Sequence, residues 1–239
     1  MRFQIVFTYD CNLACKYCDR FVDILPWPNT QMTIDELGFG FQMLEFFGIK
    51  SEMNRIGGGE ALTHPEFETL AKYVVANWSR GGEVKTTVAT NDILPQPVIE
   101  GVKYNGSPPN EKEHKPVMIS PYDLGIPPEH GVNDVCRVAT ICGRGFDCHG
   151  FASCPYAGPI GRVLGIDPYN IDPVKFGLYE ICKHCIHSLG PRRRRKLWES
   201  AQKGDIDFPT KTFAEGLKEN QTNEPVVFER LEARIDASI

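Results

Sequence analysis

The feature that most constrains the fold is the spacing of strand signals in the first half of the chain. Phe3–Thr8 (FQIVFT), Glu52–Ile56, Val84–Ala89 (VKTTVA) and Val117–Ser120 (VMIS) are short runs rich in apolar and β-branched residues. They start near residues 3, 52, 84 and 117. Such intervals are too long for hairpins and suit crossover helices, so the strands are expected to be parallel. Helical signals fill the gaps. Thr33-Ile-Asp-Glu36 reads as a capping box, with Ile34, Leu37, Phe41, Leu44 and Phe47 following at helical spacing. Thr63-His-Pro-Glu66 is expected to cap a second helix carrying Phe67, Leu70 and Val74, and a short helical piece is expected near Pro97–Lys103.

The pattern changes after about residue 124, where Gly, Pro and Cys become dense and helical periodicity fades until the tail. The expected organisation is a βα core over 1–125, a Cys-rich segment over 126–190 and a polar tail over 191–239. Within the second segment Arg162–Ile166 (RVLGI) reads as a strand. The tail holds Arg192–Lys196 (RRRRK), expected to open a helix through Trp198, and a last helix with Phe228, Leu231 and Ile235 on one face. The 239 residues, 41% of them hydrophobic, suffice for one sizeable core or one domain with a small appendage. A net charge of −5 argues against general binding to nucleic acid or a membrane surface. No run of apolar residues is long enough to span a membrane, and the start MRFQIVFTYD does not read as a secretion signal, so the expected compartment is the cytoplasm.

Nine cysteines fall into three groups: Cys11, Cys15 and Cys18; Cys136, Cys142, Cys148 and Cys154; and the pair Cys182 and Cys185. The odd count, in a chain read as cytoplasmic, favours metal binding over a disulfide framework. The first group sits just past the C-terminal end of the first strand. In parallel βα architectures ligands bind at that edge, because loops converge there over a rigid framework. Three thiolates in a compact loop suit an iron–sulfur cluster. Zinc would want a fourth protein ligand, for which His64 is a remote candidate.

Cys11-x3-Cys15-x2-Cys18, with Tyr17 before its last cysteine, resembles the signature of the radical S-adenosylmethionine (radical SAM) enzymes. Gly57-Gly58-Gly59-Glu60, after the second strand, resembles that family's glycine-rich motif, with Ala61 where the usual form has proline. The resemblance covers roughly residues 1–123. It implies a partial, shortened α/β barrel of parallel strands, either truncated or completed by the Cys-rich part. It also implies a [4Fe–4S] cluster on Cys11, Cys15 and Cys18 whose fourth iron is left open and chelated by S-adenosylmethionine. Reductive cleavage then yields a 5′-deoxyadenosyl radical that abstracts a substrate hydrogen. The cofactor carries the chemistry while the protein orients it and excludes water. Backbone groups of Gly57, Gly58 and Gly59, or the Glu60 carboxylate, are candidates to bind the methionine ammonium. Thr90, Asn91 and Ser120 at strand ends are candidates for the ribose or carboxylate, or simply turn and cap residues, and Tyr17 for the adenine, or core packing.

The later cysteines resemble the auxiliary-cluster extension of a subset of that family, in its short (twitch) rather than long (SPASM) form. The expected second [4Fe–4S] cluster uses Cys142, Cys154, Cys182 and Cys185, with Cys136 or Cys148 as possible substitutes, and Cys154–Tyr169 is expected to form its ligand-bearing hairpin. A zinc ribbon is the alternative for this set. His149, His184 and His187 flank it, and read as surface or outer residues more readily than as ligands. The expected substrate is a sugar, nucleotide, nucleoside or peptide side chain. RRRRK reads as a solvated face or as a site for an anionic partner. The family implies a reducing partner such as flavodoxin or ferredoxin. Rival readings are a zinc-binding interaction module and an electron-transfer protein. The missing fourth thiolate in the first group counts against the latter.

Overall fold

A computed structural model describes residues 2–15, 18–22, 30–50, 53–78, 85–106, 118–128, 136–175, 179–222 and 228–237. Its centre is a six-stranded sheet. The strands are β1 (Arg2–Thr8), β2 (Met53–Gly58), β3 (Lys85–Thr90), β4 (Val102–Gly106), β5 (Arg144–Asp147) and β6 (Gly150–Ala152). They lie in the order β4-β3-β2-β1-β5-β6. Every pairing is parallel except that of β5 with β6. The expected parallel α/β sheet is therefore present.

Helices α1 (Ile34–Phe46) and α2 (Phe67–Trp78) cross between the first three strands. The capping box at α1 is formed as expected: Thr33 Oγ1 accepts from Glu36 N at 3.1 Å, and Thr33 N donates to Glu36 Oε2 at 2.8 Å. At α2 the expected cap is absent. Ala61–Thr63 is a 3₁₀ turn, and the Thr63 hydroxyl donates back to Glu60 O at 2.7 Å.

Two expected strands are corrected. The fourth strand is Val102–Gly106, not the segment ending at Ser120. It begins after Gly101, whose φ of +80° turns the chain where a helix was expected. Met118, Ile119 and Ser120 are buried but belong to no strand; Val117 lies outside the described residues. Arg162–Ile166 is likewise not a strand. It lies at the end of α4 (Ala157–Leu164), which stops at Gly165 in the left-handed conformation. The segment Cys154–Tyr169, expected as a ligand-bearing hairpin, is thus built around a helix.

The remaining helices are α3 (Arg137–Ile141), α5 (Tyr179–His184), α6 (Pro191–Lys203), α7 (Lys211–Thr222) and α8 (Leu231–Asp236). None of the described helices is long and apolar enough to cross a membrane. The RRRRK run does open a helix, α6, with proline in its first turn and Trp198 buried. The main core packs Phe3, Ile5 and Phe7 of β1 against Leu37, Leu44, Ile56, Leu70, Val74 and Val88, and continues into Phe146, Phe151 and Leu231. Sheet and core therefore run on past residue 125. A second cluster, including Phe21, Ile160, Val163, Ile181, Phe213 and Leu217, is held largely by α4, α5 and α7. At its closest point a Cβ on Gly216 would stand 2.2 Å from Val163 O, so only glycine lets these helices approach.

The tail is tied back by charge. Glu36 is fully buried, and Arg230 reaches it with Nε at 2.8 Å and a terminal nitrogen at 2.6 Å. Arg230→Ala leaves that carboxylate with only its capping partners. We expect a loss of about 2 kcal/mol, moderated because the arginine is partly solvated. The Glu36→Gln/Arg230→Ala double variant should lose less than the single change costs, read from the midpoint of urea unfolding.

Candidate cofactor and metal sites

The C-terminal ends of β1, β2 and β3 converge on one cavity of about 250 Å³. It is lined by Cys11, Cys15 and Cys18, by Gly57, Gly58 and Gly59, and by Thr90 and Asn91. The two motifs, 39 residues apart from Cys18 to Gly57, are brought together by strand pairing. Gly59 N donates to Thr8 O at 3.1 Å and Glu60 N to Asp10 O at 2.8 Å. The glycines permit this approach. Gly58 has φ +133°, and a Cβ there would stand 2.2 Å from Thr8 O; a Cβ on Gly59 would stand 2.2 Å from Asp10 O.

The cysteine loop is itself shaped by a turn, Cys18 N donating to Cys15 O at 3.0 Å, and by Arg20 N on Cys18 Sγ at 3.4 Å. Asn91 Nδ2 reaches across from β3 to Asn12 Oδ1 at 2.6 Å. Burial pushes the Cys11 thiol up and the Cys18 thiol up to about 11. These groups become good ligands only when a bound cation offsets the cost of their charge.

Glu60 is not a solvated cap. Its carboxylate is fully buried and accepts from Leu62 N at 3.2 Å, Thr90 Oγ1 at 3.0 Å and Asn91 N at 2.7 Å. It lies behind the cavity wall, and Thr90 and Asn91 are oriented by it. Ser120 is away from the cavity, buried, with Oγ 3.0 Å from His184 Nδ1. Tyr17 lies outside the described residues. His64 has Nε2 3.1 Å from Met32 O and Nδ1 accepting from Glu66 N at 3.1 Å, which occupies both ring nitrogens.

The later cysteines divide in a way their spacing did not reveal. Cys136, Cys154, Cys182 and Cys185 are electrostatic neighbours. Burial pushes Cys154 up to about 11, and the Cys136 charge adds to it. Cys182 is pushed up to about 12 by burial and then by Cys154 and Cys136. Cys185 rises through burial, then through Cys154, Cys182 and Cys136. Cys142 is turned to the first cavity instead, beside Tyr156. Cys148 is fully buried in the main core.

Among the described residues no three His, Cys, Asp or Glu side chains already close around an ion, so ligation at either place requires the thiols to rotate. The donor chemistry nevertheless fits. One cavity is lined by three thiols of one loop together with Cys142, and the other four thiols influence one another electrostatically.

Sequence reading missed several polar residues of the first cavity's wall, among them Gln4, Asp19, Arg20, Arg55 and Asn105. Alternation along β1 and β2 places Gln4 and Arg55 on the face opposite Phe3 and Ile56, a signal present in the sequence but unread. Tyr156 also lines the cavity, with the Arg20 guanidinium 5.0 Å from its ring centroid. Asp19 chiefly, with burial, holds the Tyr156 phenol well above its ordinary value. Tyr156 stacks on His187 at 4.6 Å, and His187 O accepts from the Cys136 thiol at 3.4 Å. His187 Nδ1 lies 2.6 Å from a terminal nitrogen of Arg194. One arginine of the RRRRK run is thus tucked inward, while Arg192, Arg193 and Arg195 are exposed.

Glu60→Ala strands three donors, one buried and two partly buried. It should cost about 3 kcal/mol, and Glu60→Gln distinctly less because one acceptor oxygen remains. Urea unfolding of the two variants measures the difference.

A comparison with curated proteins gives no match. Two solved structures align with part of the chain. One is BtrN in complex with AdoMet and 2-DOIA, at 18% identity over 39% of this chain and 37% of that one, with a TM-score of 0.32. The other is selenomethionine BtrN in an open conformation, at 19% identity over 39% of this chain and 40% of that one, with a TM-score of 0.29. The chain therefore spans well under half the length of either. The family model described as the Radical SAM superfamily matches residues 5–109, the stretch from β1 through β4 that carries both the cysteine loop and the glycine turn. Residues 5–109 are thus a radical SAM superfamily domain.

Proposed function

We propose that the chain is a radical SAM enzyme with Cys11, Cys15 and Cys18 holding the cluster. The observation that carries this is the meeting of that thiol loop and the Gly57–Gly59 turn in one cavity at the ends of parallel strands. When bound, the [4Fe–4S] cluster and S-adenosylmethionine supply one-electron chemistry that ends in hydrogen abstraction from a substrate carbon. The protein's share is placement. Close backbone approach at Gly58 and Gly59 leaves the rim free of side chains, with backbone polar groups open to the methionine moiety. Thr90 and Asn91, held by Glu60, form the wall where the nucleoside lies. Asp19, Arg20 and Tyr156 close the opposite side.

A second, fully protein-ligated cluster on Cys136, Cys154, Cys182 and Cys185 completes the reading. Here Cys136 stands in place of Cys142, the substitution that the sequence left open. This arrangement suits an oxidation in which the auxiliary cluster exchanges an electron with a substrate radical. The first cluster would be reduced by a flavodoxin- or ferredoxin-type donor. A sugar, a nucleoside or nucleotide, or a peptide side chain remains the substrate class.

Anaerobic reconstitution of the full chain should give about eight irons, two four-iron clusters. It should also form 5′-deoxyadenosine on addition of dithionite and S-adenosylmethionine. Cys15→Ala should abolish that product. Cys136→Ala should bring the iron down to about four while Cys142→Ala leaves it at about eight. Zinc in place of iron, or product from Cys15→Ala, refutes the assignment.

A further inference from the structure

The face of the sheet that carries the cavity is polar where a covered parallel sheet is ordinarily apolar on both sides. Side chains alternate along a strand. Phe3, Ile5 and Phe7 enter the main core, so Gln4 points to the opposite face. In register, Gln4 lies beside Arg55 of β2, Arg55 beside Thr87 of β3, and Thr87 beside Lys103 of β4. One row across four strands thus presents an amide, a guanidinium, a hydroxyl and an ammonium. Gln4 and Arg55 line the same cavity as the three thiols, and so does Asn105, one layer nearer the strand ends.

One member of this row has a buried atom without a partner. Gln4 beside it is only 5% exposed. Arg55 Nε is buried with no partner, and no described carboxylate pairs with its guanidinium. The other cation in the cavity, Arg20, already lies 3.7 Å from Asp19. Among the described residues, no carboxylate therefore compensates the Arg55 charge on this floor. Donors placed out of water without acceptors are costly unless a ligand supplies the acceptor. The planar fork of an arginine matches an oxyanion bidentately.

We propose that the Gln4–Arg55 row is the substrate-recognition floor of this cavity, and that it takes a compact oxyanion, a carboxylate or phosphate carried by a small-molecule substrate. The word substrate rests on the function proposed above; the anion site does not. Arg55 and Gly57 are two residues apart on β2, about 7 Å along the strand. A molecule anchored by its anion at Arg55 therefore extends its carbon skeleton toward the cysteine loop. The exposed arginines of α6 do not line the cavity, so they are a separate source of attraction for anions.

The test is titration of inorganic phosphate, and separately acetate, into the full chain at low, constant ionic strength, followed by calorimetry. At least one of the two should bind saturably. Arg55→Gln should weaken it by about tenfold or more, and Arg55→Lys by less, since charge remains without the fork. Gln4→Leu should weaken it several-fold and serves if Arg55→Gln does not fold by circular dichroism. The Arg192→Gln/Arg195→Gln variant should keep the affinity. Binding of neither anion, equal binding in wild type and both floor variants, or loss confined to the α6 variant overturns the proposal. The two readings fail separately. Absence of 5′-deoxyadenosine from the unmodified chain refutes the enzyme, whereas equal anion binding after floor substitution refutes the floor.

Discussion

The Glu60 carboxylate is fully buried and takes one donor from its own turn and two from the end of β3. Its backbone N–H meanwhile donates to Asp10, the residue before the cysteine loop. One residue therefore fixes three strand ends relative to one another. The cavity exists because those ends are held in this relation. The glycines before Glu60 allow the β2 end to lie flush against β1, and Asn91 reaches Asn12 only because its own backbone is held by Glu60. A charge held by neutral donors in a water-poor setting also rewards full satisfaction, so this knot tolerates no slack in the loops it joins.

The parts of the site legible in the sequence were those encoded locally. The first three strand runs, the Thr33–Glu36 box and the two motifs follow from short-range patterns; the strands and the box form close to where those patterns lie. The misplaced elements are those decided by tertiary context. Val102–Gly106 has weak strand character and became a strand by pairing with β3. The RVLGI run has β-branched residues and good alternation, yet Ile160 and Val163 earn their burial on α7 as one face of a helix. The surroundings of the later cysteines depend on tertiary context in the same way. Even spacing of Cys136, Cys142, Cys148 and Cys154 suggests equivalence, but the intervening helix and hairpin send them to three different environments. The polar row on the inner face required knowing which side of the sheet the helices cover.

The two thiol neighbourhoods are also neighbours of each other. Tyr156 belongs to the wall of one and stacks on His187, whose carbonyl takes the Cys136 thiol of the other. Arg194 closes the same group from α6. The RRRRK run is therefore not uniform: Arg194 is tucked inward, while Arg192, Arg193 and Arg195 are exposed. The overall negative charge of the chain would make such a patch a local exception rather than a general attractor.

Strand β1 precedes the other described strands in the chain, yet it is an interior strand, flanked by β2 on one side and by β5 on the other, with Phe3 opposite Arg144. Until Arg144–Asp147 has been synthesised, one edge of β1 carries unpaired peptide groups, and the cysteine loop hangs from the end of an unfinished sheet. Pairing across so long a stretch of chain is slow to find. The order of translation thus imposes a waiting period on the nascent chain, during which the loop at Cys11–Cys18 is available before its cavity has walls on both sides.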